Sequence, residues 1–168
     1  MPYNFNGNLW PDNNEYFFRD AKLIPIRQEG PHCVSTSLAI LTGAEPNHFQ
    51  GIINTQNPIS WSDKLKEWGM KLAYCPTDAR KLRFYISEWI ELDDLFTLSY
   101  YTAPDQNAIL GDPDKNGWVC SSHVVVMHRD KIFDPARGTV VHANNHTCND
   151  CHTKRVFRVV SASYERGL

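Results

Sequence analysis

The chain has 168 residues, 42% apolar and 21% charged, which is typical of one globular domain with a buried core. Its net charge of −2 gives no indication of a nucleic-acid or anionic-membrane partner. No apolar run approaches the ~20 residues that span a bilayer, and residues 1–20 lack the basic start and apolar block of a signal peptide. We therefore expect a single domain over residues 1–168, with residues 1–20 as an N-terminal arm or cap.

The number of cysteines is odd, which argues against a fully paired disulfide framework. The five are Cys33, Cys75, Cys120, Cys148 and Cys151. An unpaired set of thiols indicates a reducing compartment, so the expected location is cytoplasmic. A protein exported by a route without a signal peptide would look the same.

The stretch from Pro25 to Gly43 begins as a loop and becomes a helix at Cys33. Gly30 and Pro31 interrupt regular structure, and from Cys33 onward apolar residues recur at helical spacing until Gly43, a typical helix end. A thiol in the first helical turn lies beside unpaired backbone N–H groups and the positive end of the helix dipole. Both favour the thiolate, which is the nucleophilic form of cysteine.

Gln28 lies five residues before Cys33 and carries an amide that can donate hydrogen bonds. A cysteine that transfers acyl groups needs such a donor aimed at the developing oxyanion, and the backbone N–H of Cys33 would be a second one. The alternative is that Cys33 is a small buried apolar residue, since free cysteines are usually buried.

The elements predicted after this helix are mostly helical up to residue 90. They are a short helix from Pro46 to about Asn54, a helix from Trp61 to Trp68 with Ser60 as N-cap and Gly69 as its end, a strand from Met70 to Cys75, a helix from Ala79 to Ile90 capped by Thr77 or Asp78, and a strand from Leu95 to Tyr101. Residues 103–120 are predicted to be a long surface loop that could influence specificity.

The second half of the chain is predicted to be mainly antiparallel sheet. The predicted strands are His123 to Met127, Lys131 to Asp134, Val140 with Val141, and Val156 to Val160, with a turn at Arg129 and Asp130. Helices followed by antiparallel strands indicate an α+β fold.

His123 begins one strand of this hairpin and Asp134 ends the other, so they are expected to be neighbours at its open end. A carboxylate there can accept from one imidazole nitrogen and leave the other free to take a proton from a thiol. Each residue also has an ordinary interpretation, as a strand-end histidine and as a turn aspartate before proline. Together with Gln28 and Cys33 they favour a catalytic interpretation.

Two stretches of the chain resemble the papain-like cysteine peptidases, most closely the bacterial C39-like branch. They are Arg-Gln-Glu-Gly-Pro-His-Cys at 27–33, and Ser-His-Val-Val-Val at 122–126 followed by Ile-Phe-Asp-Pro at 132–135. The resemblance implies N-terminal helices packed on a mainly antiparallel sheet, with the active site in the cleft between them. It also implies Cys33 as nucleophile, His123 as general base and acid, Asp134 as its orienting group and Gln28 as oxyanion donor. Many relatives have Asp-Cys-Gly at the nucleophile, whereas this chain has His32, Cys33 and Val34.

A second group of chemically active residues lies between positions 142 and 152. Its members are His142, His146, Cys148, Cys151 and His152. Cys148 and Cys151 have a spacing that zinc sites use, and one or two histidines could complete such a site. The formal match of Cys148 to His152 with a haem-attachment pattern lacks the export signal that this chemistry requires. A structural zinc site, a disulfide and a plain polar loop all remain open here.

The sequence therefore favours a cysteine-dependent hydrolase that acts on a protein or peptide and needs no cofactor. The same catalytic groups could instead deamidate glutamine or transfer an acyl group to an amine. An alternative from another class is an inactive binding module on the same scaffold, stabilised by zinc. Substrate identity and oligomeric state are not determined by the sequence.

Overall fold

The computed structural model describes residues 10–102 and 122–168, which contain three α-helices and one six-stranded sheet. The helices are Cys33–Thr42 (α1), Pro58–Leu65 (α2) and Arg83–Leu92 (α3). The strands are Met70–Cys75 (β1), Leu95–Tyr101 (β2), Ser122–His128 (β3), Lys131–Asp134 (β4), Thr139–His142 (β5) and Thr153–Ser161 (β6). Within these ranges, no helix combines the length and apolar character needed to cross a bilayer.

The strands lie in the order β1-β6-β2-β3-β4-β5, and every neighbouring pair is antiparallel. The predicted α+β class is therefore confirmed at this level. The helices divide between the two faces of the sheet, because successive strand residues point to opposite sides. Val124 and Val126 pack into the core shared with α1 and α2, whereas Val125 and Met127 pack into the core shared with α3.

Helix α1 has the bounds that the sequence predicts and is almost completely enclosed. All residues from Val34 to Leu41 are buried. The helix ends where Gly43 adopts a left-handed φ of 80° and donates its N–H to the carbonyl of Ala39 at 2.8 Å. His32 precedes the helix without a side-chain cap, so the first backbone N–H groups stay available to other partners.

Two helix predictions near α2 are wrong, one in its start and the other in its length. The cap of α2 is Asn57 rather than Ser60, because the Asn57 carboxamide accepts from the N–H of Ile59 and Pro58 supplies the first helical residue. The helix continues as a single 3₁₀ turn over Lys66–Trp68 and ends at the predicted Gly69. Only a 3₁₀ turn forms at Pro46–His48, in place of a helix to Asn54.

The start of α3 also differs from the prediction, by four residues. Asp78 does organise a turn there, accepting from the N–H of Arg80 at 3.0 Å. The chain then contacts the start of β6, where Leu82 donates its N–H to the carbonyl of Cys151 at 3.0 Å. This long-range contact delays the helix until Arg83, and the helix ends at Leu92.

The strand predictions are confirmed, and several strands are longer than predicted. Strands β3 and β6 extend past the predicted ends, and β5 contains Val140 and Val141. The β3–β4 turn lies at the predicted position, with Arg129 in a left-handed conformation at φ 58°. The predicted loop over residues 103–120 lies outside the described residues.

Residues 10–18 of the N-terminal segment are part of the fold. Trp10 is 5% exposed, and its ring lies 5.6 Å from Tyr85 and 5.8 Å from Trp89 on α3. Tyr16 and Ile24, in contrast, are 56% and 75% exposed.

A buried ion pair attaches the same segment to the sheet. Asp94 accepts from the backbone N–H groups of Phe17 and Phe18, each at 2.8 Å, and pairs with Arg158 at 2.7 Å. Arg158 also donates to the backbone carbonyls of Asp12 and Glu15. Because the Asp94 and Arg158 side chains are 0% and 1% exposed, each depends on these partners for compensation of its charge.

Candidate active site

The candidate site lies at the end of the sheet where β3 begins and β4 ends. Cys33 is the first residue of α1, His123 the second of β3 and Asp134 the last of β4. The hairpin register, in which Val126 opposes Phe133, places positions 123 and 134 at the open end, as predicted. His123 Nε2 is 2.8 Å from Asp134 Oδ1, and the two side chains are 13% and 9% exposed.

Cys33 completes this arrangement from the other side of the imidazole. Its thiol and the His123 side chain interact closely enough for each to shift the pKa of the other. Because Asp134 occupies Nε2, the nitrogen left for the sulfur is Nδ1. Cys33 as a whole residue is half-buried. Sulfur, imidazole and carboxylate thus lie in sequence.

The surroundings of Cys33 favour its thiolate. Burial acts to raise the pKa of the thiol, but the hydrogen bond and positive charge of His123 outweigh burial. The backbone N–H groups of Val124 and Val34 add to this effect. Val34 belongs to the first turn of α1, so its N–H is one of the donors that a helix start leaves unpaired. The net result is a pKa for Cys33 below its ordinary value.

The pKa of His123 is raised and that of Asp134 is lowered. Burial acts to lower the pKa of His123, but hydrogen bonds with Asp134 and Cys33 outweigh it and raise that pKa to about 9. Burial acts to raise the pKa of Asp134, but hydrogen bonds from His123, His146 and the N–H of Ala136 hold it far below its usual range. Each of these three pKa shifts favours the charged form of its group: a thiolate at Cys33, an imidazolium at His123 and a carboxylate at Asp134.

Gln28 is attached directly to the hairpin. Its backbone N–H donates to the carbonyl of Pro135, the residue after Asp134, at 2.7 Å. Its side-chain Nε2 donates to the carbonyl of Gly30 at 2.9 Å, while Oε1 is buried and has no hydrogen-bond partner among the described residues. This contact fixes the amide, because the flipped orientation would place two oxygens against each other. One Nε2 hydrogen is used by Gly30, and the second remains for another acceptor.

Contacts in three places hold the loop before Cys33 and α1 against the hairpin. Ser37 donates its hydroxyl to the carbonyl of Val124 at 3.2 Å, and the bond from Gln28 to Pro135 is the second contact. The third is steric: a Cβ added at Gly138, where φ is +66°, would lie 2.9 Å from Cβ of Arg27. These contacts keep Cys33 and His123 in a fixed relation.

His146 is the residue near the site that the sequence did not indicate for this position. Its Nε2 is 2.8 Å from Asp134 Oδ2, and its side chain is 6% exposed. The sequence suggested it as a zinc ligand, because it lies in a cysteine- and histidine-rich stretch. Its contact with Asp134 crosses 12 residues and depends on two 3₁₀ turns, Ala143–Asn145 and Thr147–Asp150, that carry no strong sequence signal.

The remaining members of that stretch have separate surroundings. His142 lies 3.6 Å from Asp130, His152 Nδ1 lies 2.9 Å from the carbonyl of Ala79, and Cys148 and Cys151 are free thiols. Among residues 10–102 and 122–168 there is no group of three or more histidine, cysteine, aspartate or glutamate side chains placed to hold a metal ion. The described residues thus give no support to a zinc site or a disulfide here. Cys120 lies outside them.

A comparison with known proteins finds no family model, no curated protein and no solved structure that matches this chain. A function for this chain therefore has to be inferred from the geometry and chemistry of its own residues.

Proposed function

We propose that the protein is a papain-like cysteine hydrolase that cleaves an amide bond in a protein or peptide. The observation that carries this proposal is the hydrogen bond from His123 to Asp134, with the Cys33 thiol close enough to the same imidazole for the two groups to shift each other's pKa. A thiol in the first turn of a helix, a histidine on a facing strand and a buried carboxylate behind it supply a nucleophile, a proton carrier and its orienting group. The sequence resemblance to papain-like peptidases agrees with this assignment.

In the first half of the reaction, the Cys33 thiolate attacks the substrate carbonyl carbon and the carbonyl π electrons move to oxygen. The oxyanion accepts hydrogen bonds from the free Nε2 hydrogen of Gln28 and from the N–H of Cys33. His123 gives the proton on Nδ1 to the amine as the carbon–nitrogen bond breaks. The products of this half are a free amine and a thioester on Cys33, with His123 neutral.

In the second half, neutral His123 removes a proton from water as the water oxygen attacks the thioester carbon. The carbon–sulfur bond breaks, releasing the carboxylic acid and restoring the Cys33 thiolate beside the His123 imidazolium. Asp134 stays ionised throughout and holds His123 through Nε2, which keeps Nδ1 directed at the sulfur.

The first experiment measures the alkylation rate of Cys33 by iodoacetamide from pH 5 to pH 10, read by mass spectrometry of each cysteine peptide. We expect a midpoint below the ~8.5 of a model thiol. Cys151 is the internal control, because it is also half-buried but burial raises its pKa. A Cys33 midpoint at or above that of Cys151 would contradict the proposal.

The second experiment incubates the protein with a peptide library and identifies the products by mass spectrometry. Hydrolysis creates new peptide termini, glutamine deamidation converts glutamine to glutamate, and acyl transfer adds an amine supplied in the buffer. We expect new termini from wild type and Cys151→Ala, and none from Cys33→Ala. Deamidation or acyl transfer without cleavage would support the acyl-enzyme mechanism but contradict the assignment as a peptidase. The absence of every product would favour a binding module.

A further inference from the structure

The carboxylate of Asp134 is shared by two imidazoles. Oδ1 is 2.8 Å from Nε2 of His123, and Oδ2 is 2.8 Å from Nε2 of His146. Oδ1 also accepts from the N–H of Ala136 at 2.9 Å, whereas the hydrogen-bond partner of Oδ2 among the described residues is His146. A buried carboxylate oxygen that loses its hydrogen-bond partner is strongly destabilised, and the carboxylate rotates to find another donor.

The hydrogen on the second imidazole can be assigned from its other nitrogen. Nδ1 of His146 accepts from the N–H of Cys148 at 2.9 Å, so Nδ1 carries no hydrogen and Nε2 does. His146 is therefore a neutral donor to Asp134, whereas His123 pairs with the same carboxylate as the proton carrier. The two rings have different tasks although they contact one group.

The surroundings of His146 restrict its movement. The Asn149 side chain donates to the carbonyls of Ala143 and His146, at 2.7 and 2.9 Å, which fixes the turn that carries the ring. The Tyr100 ring lies edge-on to both imidazoles, 5.7 Å from His123 and 6.4 Å from His146. A donor held this firmly can determine the rotation of the carboxylate that it contacts.

We infer that His146 is a positioning residue, whose Nε2–H locks the Asp134 carboxylate in the rotation that presents Oδ1 to His123. This inference rests on the proposed function of Cys33, His123 and Asp134. His146 does not contact the sulfur or the substrate in this scheme; it acts through the carboxylate alone.

His142 provides a matched control within the same stretch. Its Nδ1 also accepts a backbone N–H two residues on, from Asn144 at 3.1 Å. Its Nε2 faces Asp130 at 3.6 Å, however, and its side chain is 36% exposed. His142→Phe therefore removes the same kind of turn hydrogen bond without affecting Asp134.

The experiment compares His146→Phe, which lacks a donor, with His146→Gln, whose amide can still donate, and with His142→Phe. We expect His146→Phe to lower the Cys33 alkylation rate at pH 6 by roughly 10- to 100-fold, as for a misplaced catalytic group. We expect the His123 titration, followed by NMR of ¹⁵N-labelled histidine, to move down from about 9. His146→Gln should keep the Cys33 alkylation rate and the His123 titration close to their wild-type values. His142→Phe should change neither the rate nor the titration.

A double-mutant cycle tests whether His146 acts through Asp134. In an Asp134→Ala background, His146→Phe should have no further effect on the alkylation rate or on the His123 titration. Equal losses in both backgrounds would overturn the inference, as would wild-type values in His146→Phe. If circular dichroism shows that His146→Phe is unfolded, the smaller and flexible His146→Met replaces it.

Two measurements on the wild type separate this inference from the proposed function. If Cys33 reacts as an ordinary thiol, the proposed function fails, while the effect of His146→Phe on the His123 titration still decides the positioning role. If NMR finds the hydrogen of His146 on Nδ1 rather than Nε2, the positioning role fails, while the reactivity of Cys33 is unaffected.

Discussion

Cys33 and Cys151 show how similar burial leads to opposite chemistry. Both are half-buried, and both adjoin short helical elements at the same end of the sheet. Burial raises the pKa of Cys151, with only weak opposition from Lys81. Burial acts on Cys33 in the same direction, yet its pKa falls because the interaction with His123 and the positive charge of that imidazole favour the thiolate. The imidazole, and not the degree of burial, separates the two thiols.

The difference between the two thiols also indicates that a helix start by itself has a limited effect on the pKa of a cysteine. The N–H of Val34 assists Cys33, but its effect is smaller than that of His123. A cysteine at a helix start without a facing cation would therefore stay close to an ordinary thiol. This comparison can be tested by substitutions that make Cys33 behave like Cys151, or that separate thiolate formation at Cys33 from peptide turnover.

The largest effect is expected from His123→Ala. Without the imidazole, burial dominates and Cys33 should titrate above its ordinary value, as Cys151 does. Alkylation at pH 7 should fall about 100-fold and peptide turnover about 10³-fold or more, since both the base and the acid are lost. The measurement is the pH profile of alkylation together with turnover. A Cys33 profile unchanged from wild type would show that the helix start alone activates the thiol.

Gln28→Ala should affect turnover without affecting activation. Loss of one oxyanion donor typically lowers kcat by about 10²- to 10³-fold. Alkylation of Cys33 creates no oxyanion, so its rate should stay near that of wild type. Parallel assays of alkylation and peptide cleavage check this separation. Equal losses in both would mean that Gln28 only supports the loop, through its bond to Pro135.

Asp134→Asn should lower the pKa of His123 while leaving the Cys33 thiol in place. The pKa of His123 is raised to about 9, chiefly by Asp134 against the opposing effect of burial, so it should fall toward 6.5 when the carboxylate becomes an amide. The alkaline limb of turnover reports loss of the His123 proton and should move down in pH accordingly. The acid limb of Cys33 alkylation should move up, and alkylation at pH 6 should fall about 10-fold. If neither the alkaline limb of turnover nor the acid limb of Cys33 alkylation moves, the proposed roles of Asp134 and His123 are contradicted.

The same substitution carries a stability prediction whose sign follows from the lowered pKa of Asp134. A carboxyl group with a depressed folded-state pKa stabilises the fold above its unfolded pKa of about 3.9, and this contribution disappears as the pH falls below that value. The wild type should therefore lose more stability than Asp134→Asn between pH 5 and pH 2, by roughly 1–3 kcal/mol. Urea denaturation at several pH values measures the difference. Parallel losses in both proteins would contradict the depressed pKa.

The smallest effect expected on the chemistry comes from Gly138→Ala, which disturbs the contact between hairpin and loop. The new methyl group would overlap Arg27 at a position that already has a left-handed φ of +66°. We expect a loss of roughly 2–4 kcal/mol in the free energy of unfolding, from conformational strain and overlap together. Gly51→Ala is the matched control, because φ is +81° there and nothing lies within 4 Å of the added Cβ.

Gly51→Ala should cost only about 1–2 kcal/mol, since it adds strain without overlap. Alkylation of Cys33 should slow several-fold in Gly138→Ala and stay unchanged in Gly51→Ala, while Cys151 should be unaffected by either. Equal destabilisation by the two substitutions would show that Gly138 is needed only for its backbone conformation.

The parts of the fold that the sequence predicts well are those determined by local pattern. Strands β3 and β4 are continuous runs of buried residues joined by a short turn, so the register and the closeness of His123 to Asp134 follow from local sequence. Helix α1 likewise starts at Cys33 and ends at Gly43 for local reasons.

What the sequence does not predict depends on distant contacts. The start of α3 is displaced because Leu82 first bonds to Cys151, a partner far along the chain. His146 reaches Asp134 through consecutive 3₁₀ turns, and neither turn carries the periodicity that marks a regular helix. The composition of residues 142–152 therefore suggested metal binding, whereas the fold places His146 beside the Asp134 carboxylate.

The pairing of Asp94 with Arg158 has a practical consequence for shortened versions of the protein. Residues 12–18 neutralise and solvate this pair in place of water, through two carbonyl groups on the arginine and two amide groups on the aspartate. A fragment that starts just ahead of the cysteine loop would leave this guanidinium and carboxylate without two of the three hydrogen-bond partners of each. Expression of such a fragment should therefore give an unstable product, although Cys33, His123 and Asp134 would all be present.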